Sequence, residues 1–194
     1  SKNPIMVTMT SIANRIKTVR YVLIVSIVLI ILLSSSLGKK ILVILTFAMV
    51  NFLLALGKRK IRKVGISQYF WGIELVLFST IIISLAYGPV LGAVMGAFLM
   101  SMNYIAEERL SIFSIITLVL YSLVGYFAYF ARSVDIVLVG IAACVIYNVI
   151  LNSLILIFYK ANIGKMITFT VVNLLFNLII FLNWSRIIYA LVSS

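Results

Sequence analysis

Four carboxylates, Glu74, Glu107, Glu108 and Asp135, are the whole acidic inventory of a 194-residue chain that has no histidine. A two-metal carboxylate site needs nearly all of them in one place, which their spread along the chain disfavours. The single cysteine, Cys144, lies inside an apolar run, so the chain offers neither an internal disulfide nor a Cys–His or Ser–His relay. The ligand sets of zinc, haem and iron–sulfur centres are missing too. These residues predict a non-enzymatic protein with no metal and no cofactor.

The chemistry that remains is polar recognition. Glu74 falls in an apolar stretch, where a carboxylate has to face protein or a water-filled cavity. It suits ligand recognition, cation coordination or proton handling, or it snorkels toward the basic residues that precede it. Asn148 and Asn152 are four apart and share a helix face, and Asn173 with Asn177 repeats the arrangement. Buried amides at that spacing act either as interhelical glue or as a polar wall that orients a small ligand. Gly88, Gly92 and Gly96 form a stripe at helical spacing, with Asn103 close to the same line. Such a stripe lets a neighbouring backbone approach closely, edges a ligand cavity or docks a partner subunit. The candidate ligand-binding set is therefore Glu74, Asn103, Asn148, Asn152, Asn173 and Asn177. The aromatics Tyr87, Tyr104, Tyr121, Tyr126, Phe127, Tyr129 and Phe130 fall near predicted span ends and read as membrane-anchoring belts.

The elements that must position these residues are set by hydropathy. The chain is 64% hydrophobic and 10% charged, with mean hydropathy +1.27. A soluble domain of this size needs far more polar surface. The expected fold is all-α: a polytopic integral membrane helical bundle of about seven transmembrane helices, six to eight at the limits. Residues 1–20 read as a basic amphipathic segment on the membrane surface, and 21–194 as the transmembrane domain. The expected spans are 21–37, 41–56, 69–87, 90–104, 111–130, 136–158 and 166–182, the last continuing to 192 if Arg186 snorkels. The first is expected to be retained, because no small-residue cleavage site follows it. Turns are expected at Gly38-Lys39-Lys40, at the basic loop 57–67 and at Gly88-Pro89, where proline removes an amide donor.

The net charge of +12 fits nucleic acid in a soluble protein, but here the cations sit in short segments between apolar spans. With the N-terminus inside, 12 Lys and Arg fall on the cytoplasmic side and 4 outside, which places loop 57–67 in the cytoplasm and the C-terminus outside. Lys58, Arg59, Lys60, Arg62 and Lys63 then read as topogenic residues that contact anionic lipid headgroups. Membrane lipids, not nucleic acid, are the expected partners.

The run Tyr87-Gly88-Pro89-Val90-Leu91-Gly92-Ala93-Val94-Met95-Gly96-Ala97 resembles the Gly-Pro turn and small-residue helix of the substrate-binding S components of energy-coupling-factor vitamin transporters. It is also similar in size and small-residue helix to the MreD membrane protein of the cell-shape machinery. The first likeness implies a non-enzymatic small-solute-binding transporter subunit that works with an ATPase and a coupling subunit. The second implies a structural subunit of a larger membrane complex. The chain departs from both. Its segment 41–56 lacks the S-component Ala-x-x-x-Ala docking pattern, its basic loop is placed in the cytoplasm, and MreD's acid after the glycine-rich helix is missing.

Overall fold

The computed structural model describes residues 20–21, 23–28, 35–63, 72–158 and 162–193. The expected amphipathic segment 1–19, residues 22 and 29–34 of the expected first span, residues 64–71 with the aromatics Tyr69, Phe70 and Trp71, and residues 159–161 and 194 lie outside that set. The described residues are mostly helical and contain no strand. The chain divides into two units, 1–43 and 44–194. In the first, residues 20–21 and 23–28 are helical with exposed side chains.

Six helices follow: α1 (Ser36–Lys63), α2 (Val76–Tyr87), α3 (Pro89–Glu107), α4 (Ile112–Ala128), α5 (Ile136–Phe158) and α6 (Ile163–Ser193). A short 3₁₀ turn, Tyr129–Ala131, closes α4. Five helices are long and apolar enough to cross a membrane: Ser36–Arg62, Pro89–Glu107, Ser114–Ala131, Ile136–Phe158 and Ile163–Ser193. Large apolar side chains such as Met49, Val94, Ile115, Ile157 and Leu182 point outward, as lipid-facing surfaces do. The chain is an all-α, membrane-embedded bundle.

Two expectations change here. The turn at Gly38-Lys39-Lys40 does not exist: Ser35 caps the helix, its Oγ accepting from Gly38 N at 2.9 Å, and α1 runs unbroken through both lysines. The loop expected at 57–67 likewise begins as helix, since α1 extends to Lys63. No proline interrupts either stretch, and lysine is a good helix former.

The span expected over 69–87 becomes something different. Residues 72–75 are non-helical, and only the 12 residues of α2 are helix. Every side chain from Val76 to Leu85 is buried. A helix apolar on all faces belongs inside a protein rather than against lipid on one side. Accordingly α2 packs on α3, α4, α5 and α6, and its Phe78 ring meets Phe47 of α1 and Phe181 of α6 at 6.4 and 5.2 Å between centroids.

Helix α2 ends at Gly88, whose φ of 108° disfavours any residue with a Cβ, and Pro89 opens α3 at once. The α2–α3–α4 contact is close. A Cβ on Gly92 would lie 2.5 Å from Ser84 Cβ and 2.6 Å from Gly125 O. Ser84 Oγ donates to the same Gly125 carbonyl at 2.5 Å. Gly96 backs onto the Tyr121 carbonyl. The glycine stripe is thus spent inside the chain at Gly92 and Gly96, while Gly88 serves the turn and has no atom within 4 Å of a built Cβ.

Candidate functional site

The C-terminal end of α1 docks on the C-terminal end of α3. Lys58 Nζ lies 2.5 Å from Glu107 Oε1, with both side chains under a tenth exposed. Arg109 Nη1 reaches Glu107 Oε2 at 3.2 Å. Arg62 Nη2 donates to the Glu107 carbonyl at 2.8 Å, and Arg59 pairs with Glu108 at 2.5 Å. Glu108 holds the left-handed position (φ 53°) that ends α3 and turns the chain into α4. A capping box between Ser111 and Ser114 then starts α4.

The basic cluster also has partners inside the protein. Lys58, Arg59 and Arg62 are engaged by the protein's own acids and carbonyls, and Lys58 is buried. Lys60 remains exposed. The side chain of Lys63 lies outside the described residues. The acids at 107–108 answer the cations at 58–62, which charge counting by loop does not capture.

Deeper in the bundle sits Glu74, 3% exposed, on the non-helical segment that leads into α2. Two features fix that segment. Gly72 packs directly on the α6 backbone, where a Cβ would come within 2.6 Å of Asn173 N and 2.7 Å of Phe169 O. Asn173 Nδ2 donates to Gly72 O at 3.0 Å and to Glu74 Oε1 at 3.3 Å. Irregular backbone inside an apolar bundle survives only with such partners. The Tyr121 hydroxyl of α4 also donates to Glu74 Oε1. Tyr121 in turn stacks on Tyr147 of α5, 4.7 Å between ring centroids.

Between these two levels lies a cavity of about 150 Å³. Lys58, Glu107 and Arg109 line it, and Arg109, a third exposed, marks its mouth; Glu74 and Asn103, both 3% exposed, line its buried part. Tyr104, Thr117, Tyr147 and Phe169 complete the polar and aromatic wall, with Met100 and Leu151 as its apolar part. Tyr104 and Thr117 share a hydrogen bond of 2.5 Å. Asn103 is 3% exposed and its Oδ1 has no hydrogen-bond partner. It stands one helical turn before Glu107 on the same face of α3.

Of the six sequence-derived ligand residues, Glu74 and Asn103 reach this cavity. The other four form a seam between α5 and α6. Asn148 Nδ2 donates to Asn173 Oδ1 and to Cys144 O, each at 2.8 Å. Asn152 Nδ2 meets Thr170 Oγ1 at 2.7 Å, and Asn177 Nδ2 meets Asn173 O at 2.9 Å. Asn173, fully buried, ties the seam to Glu74.

The belt reading also fails for two tyrosines: Tyr121 is fully buried, and Tyr104 is hydrogen-bonded in the cavity wall. Tyr126, Phe127 and Phe130 are exposed as expected. The sequence carried a signal for the missed residues. Tyr104 and Glu107 sit three apart and share a face of α3, and Thr117 and Tyr121 sit four apart and share a face of α4.

The opposite end of the bundle has its own charged contact. Asp135 Oδ1 accepts from Val137 N at 2.9 Å and so caps α5, while Oδ2 takes Arg186 Nη2 at 3.0 Å. The Val137 amide, and then Arg186, hold this exposed carboxyl below its ordinary value. A larger cleft, about 320 Å³, opens between α4 and α5, and Tyr147 supplies the only polar group among its lining side chains. No protein-family model, curated protein or solved structure matches the chain, so the reading of the site rests on its own geometry.

Proposed function

We propose that this membrane-embedded chain is a non-enzymatic solute-binding protein, a subunit of a transport assembly that holds a small polar solute between α1, α3 and α4. One observation carries the reading: a buried cavity with four charged side chains on its wall and, at Asn103, a buried acceptor without a donor. Charged residues inside a membrane protein are costly and face a pathway or cavity where they occur. At about 150 Å³ the cavity is below the range of roughly 300–1,000 Å³ typical of drug-sized ligands, so the solute is small. The chain has no phosphate-binding glycine loop, and energy for movement would come from a partner ATPase with a coupling subunit.

The mouth belongs to the end of the bundle that carries Lys58, Arg59, Lys60, Arg62 and Arg109, against Arg132 and Arg186 at the other end. The positive-inside rule makes that the cytoplasmic end. The solute would enter from the cytoplasm, unlike in the S components that the Gly-Pro run resembles.

The test is unfolding of the full chain in mild detergent against a panel of amino acids, amines, carboxylates, vitamins and nucleobases. A true ligand at 100 times its Kd adds about 2.7 kcal/mol. A panel in which no compound raises stability overturns the reading.

A further inference from the structure

We infer that the solute is a small zwitterion, with its anionic group at the Lys58–Arg109 mouth and its ammonium at Glu74 and Asn103. This rests on the solute-binding reading above and names its ligand class.

The argument starts from charge. At the mouth, two cations share one acid: Lys58 on Glu107 Oε1 and Arg109 on Glu107 Oε2. Both carboxylate oxygens are taken, so the mouth has one positive charge more than Glu107 answers. Arg109 is a third exposed, the most open of the three groups, and can accept an incoming anionic group. Deeper in, the imbalance reverses. Tyr121 and Asn173 both donate to Glu74 Oε1, and no described bond reaches Oε2. Asn103 adds a buried oxygen without a donor. The deep end is therefore short of N–H donors, which an ammonium supplies.

The two ends are separated by the helix register. Asn103, at the Glu74 level, and Glu107, which holds the two mouth cations, are one turn apart on α3, about 6 Å along its axis. Lys58 and Arg109 are the two bases of the lining, and Glu107 and Glu74 are its two acids. In a low-dielectric interior a lone cation or anion would leave a net charge unbalanced. A zwitterion places one group at each end and brings no net charge of its own.

The experiment titrates the full chain in nanodiscs with three probes of matched length: 3-aminopropanoate, propylammonium and propanoate. The expected result is zwitterion binding at least tenfold tighter than either single-charge probe. Glu74→Gln should weaken 3-aminopropanoate and propylammonium at least tenfold while sparing propanoate. Arg109→Gln should weaken 3-aminopropanoate and propanoate while sparing propylammonium. Propylammonium or propanoate matching the zwitterion overturns the inference, and so does an equal loss of all three probes in both variants. The three-probe ranking on the unaltered chain decides the matter if a variant does not fold. If another polar compound of the panel stabilises the chain while 3-aminopropanoate does not, the inference fails and the solute-binding reading stands. If nothing in the panel binds, both fail.

Discussion

The two ends of the bundle use the same ingredients, an acid and arginine at a helix boundary, and arrange them in opposite ways. At one end, Glu107 is buried between Lys58 and Arg109 beside a cavity. At the other, Asp135 and Arg186 meet at the exposed surface. A buried pair gains little over an apolar replacement, because desolvation consumes most of its attraction. Burying Lys58 and Glu107 therefore makes poor sense as reinforcement and good sense as a charged wall for something that enters. The Asp135 contact caps a helix and needs no other purpose.

The largest effect should come from breaking the buried end. Glu107→Ala strands Lys58 and leaves Arg109 without this carboxylate, and truncating one partner of a buried pair costs about 3–5 kcal/mol. Lys58→Met combined with Glu107→Leu should recover most of that loss. Both are read from equilibrium unfolding in mixed micelles. A double variant as unstable as the single one would mean that packing, rather than charge, holds this end together.

Next comes the residue that joins the cavity to the seam. Asn173→Ala removes the acceptor for Asn148 and the donor to both Gly72 and Glu74. Stranding a buried polar group costs about 1–3 kcal/mol. A loss near 2 kcal/mol is expected, together with weaker solute binding as Glu74 loses its support. Asn152→Ala breaks only the Thr170 bond and should cost roughly 0.6 kcal/mol, the usual worth of such bonds between membrane helices. Equal losses from the two variants would show that Asn173 has no special place.

Much of this was legible from the residues alone. Apolar runs with basic flanks gave a membrane helical bundle, 136–158 was placed correctly, and Gly88-Pro89 was read as a break. The i, i+4 asparagines were rightly seen as a shared face, since amide pairs across helices follow from spacing. The failures have one physical source: hydropathy does not tell an apolar helix in lipid from an apolar helix in protein. Residues 69–87 looked like any other span, yet α2 is the buried centre. The ion pairs at the mouth were missed because Lys58 and Glu107 meet through tertiary packing, 49 positions apart along the chain. Asn103 was found as a neighbour of the glycine stripe, but only the cavity distinguishes it from the seam. Asn148, Asn152 and Asn177 also leave Oδ1 without a partner, but each donates its amide to a neighbour and none lines the cavity.

That distinction yields a smaller effect with a clear sign. Asn103→Ala removes an acceptor that has no donor, so no protein hydrogen bond is lost. Stability should fall by less than in Asn173→Ala, while affinity for the bound solute falls. A loss as large as that of Asn173→Ala would place Asn103 among the structural amides and remove it from the site.

The smallest effect belongs to the exposed end, and pH isolates it. The Val137 amide and Arg186 lower the Asp135 carboxyl in the folded protein. A depressed folded value means that the unfolded chain binds the proton more readily. The contact therefore stabilises fully above the ordinary carboxylate value of 3.8, and its contribution is lost as pH falls through the lower folded value. Asp135→Asn keeps a side chain that caps α5 well and deletes the charge. It should be slightly less stable than the unaltered chain at pH 7, less so in high salt, and indistinguishable from it once the carboxyl is protonated. A difference between the two proteins that persists once the folded carboxyl is protonated, or grows as acid is added, would mean that Asp135 acts through its geometry as a cap and that its charge is incidental.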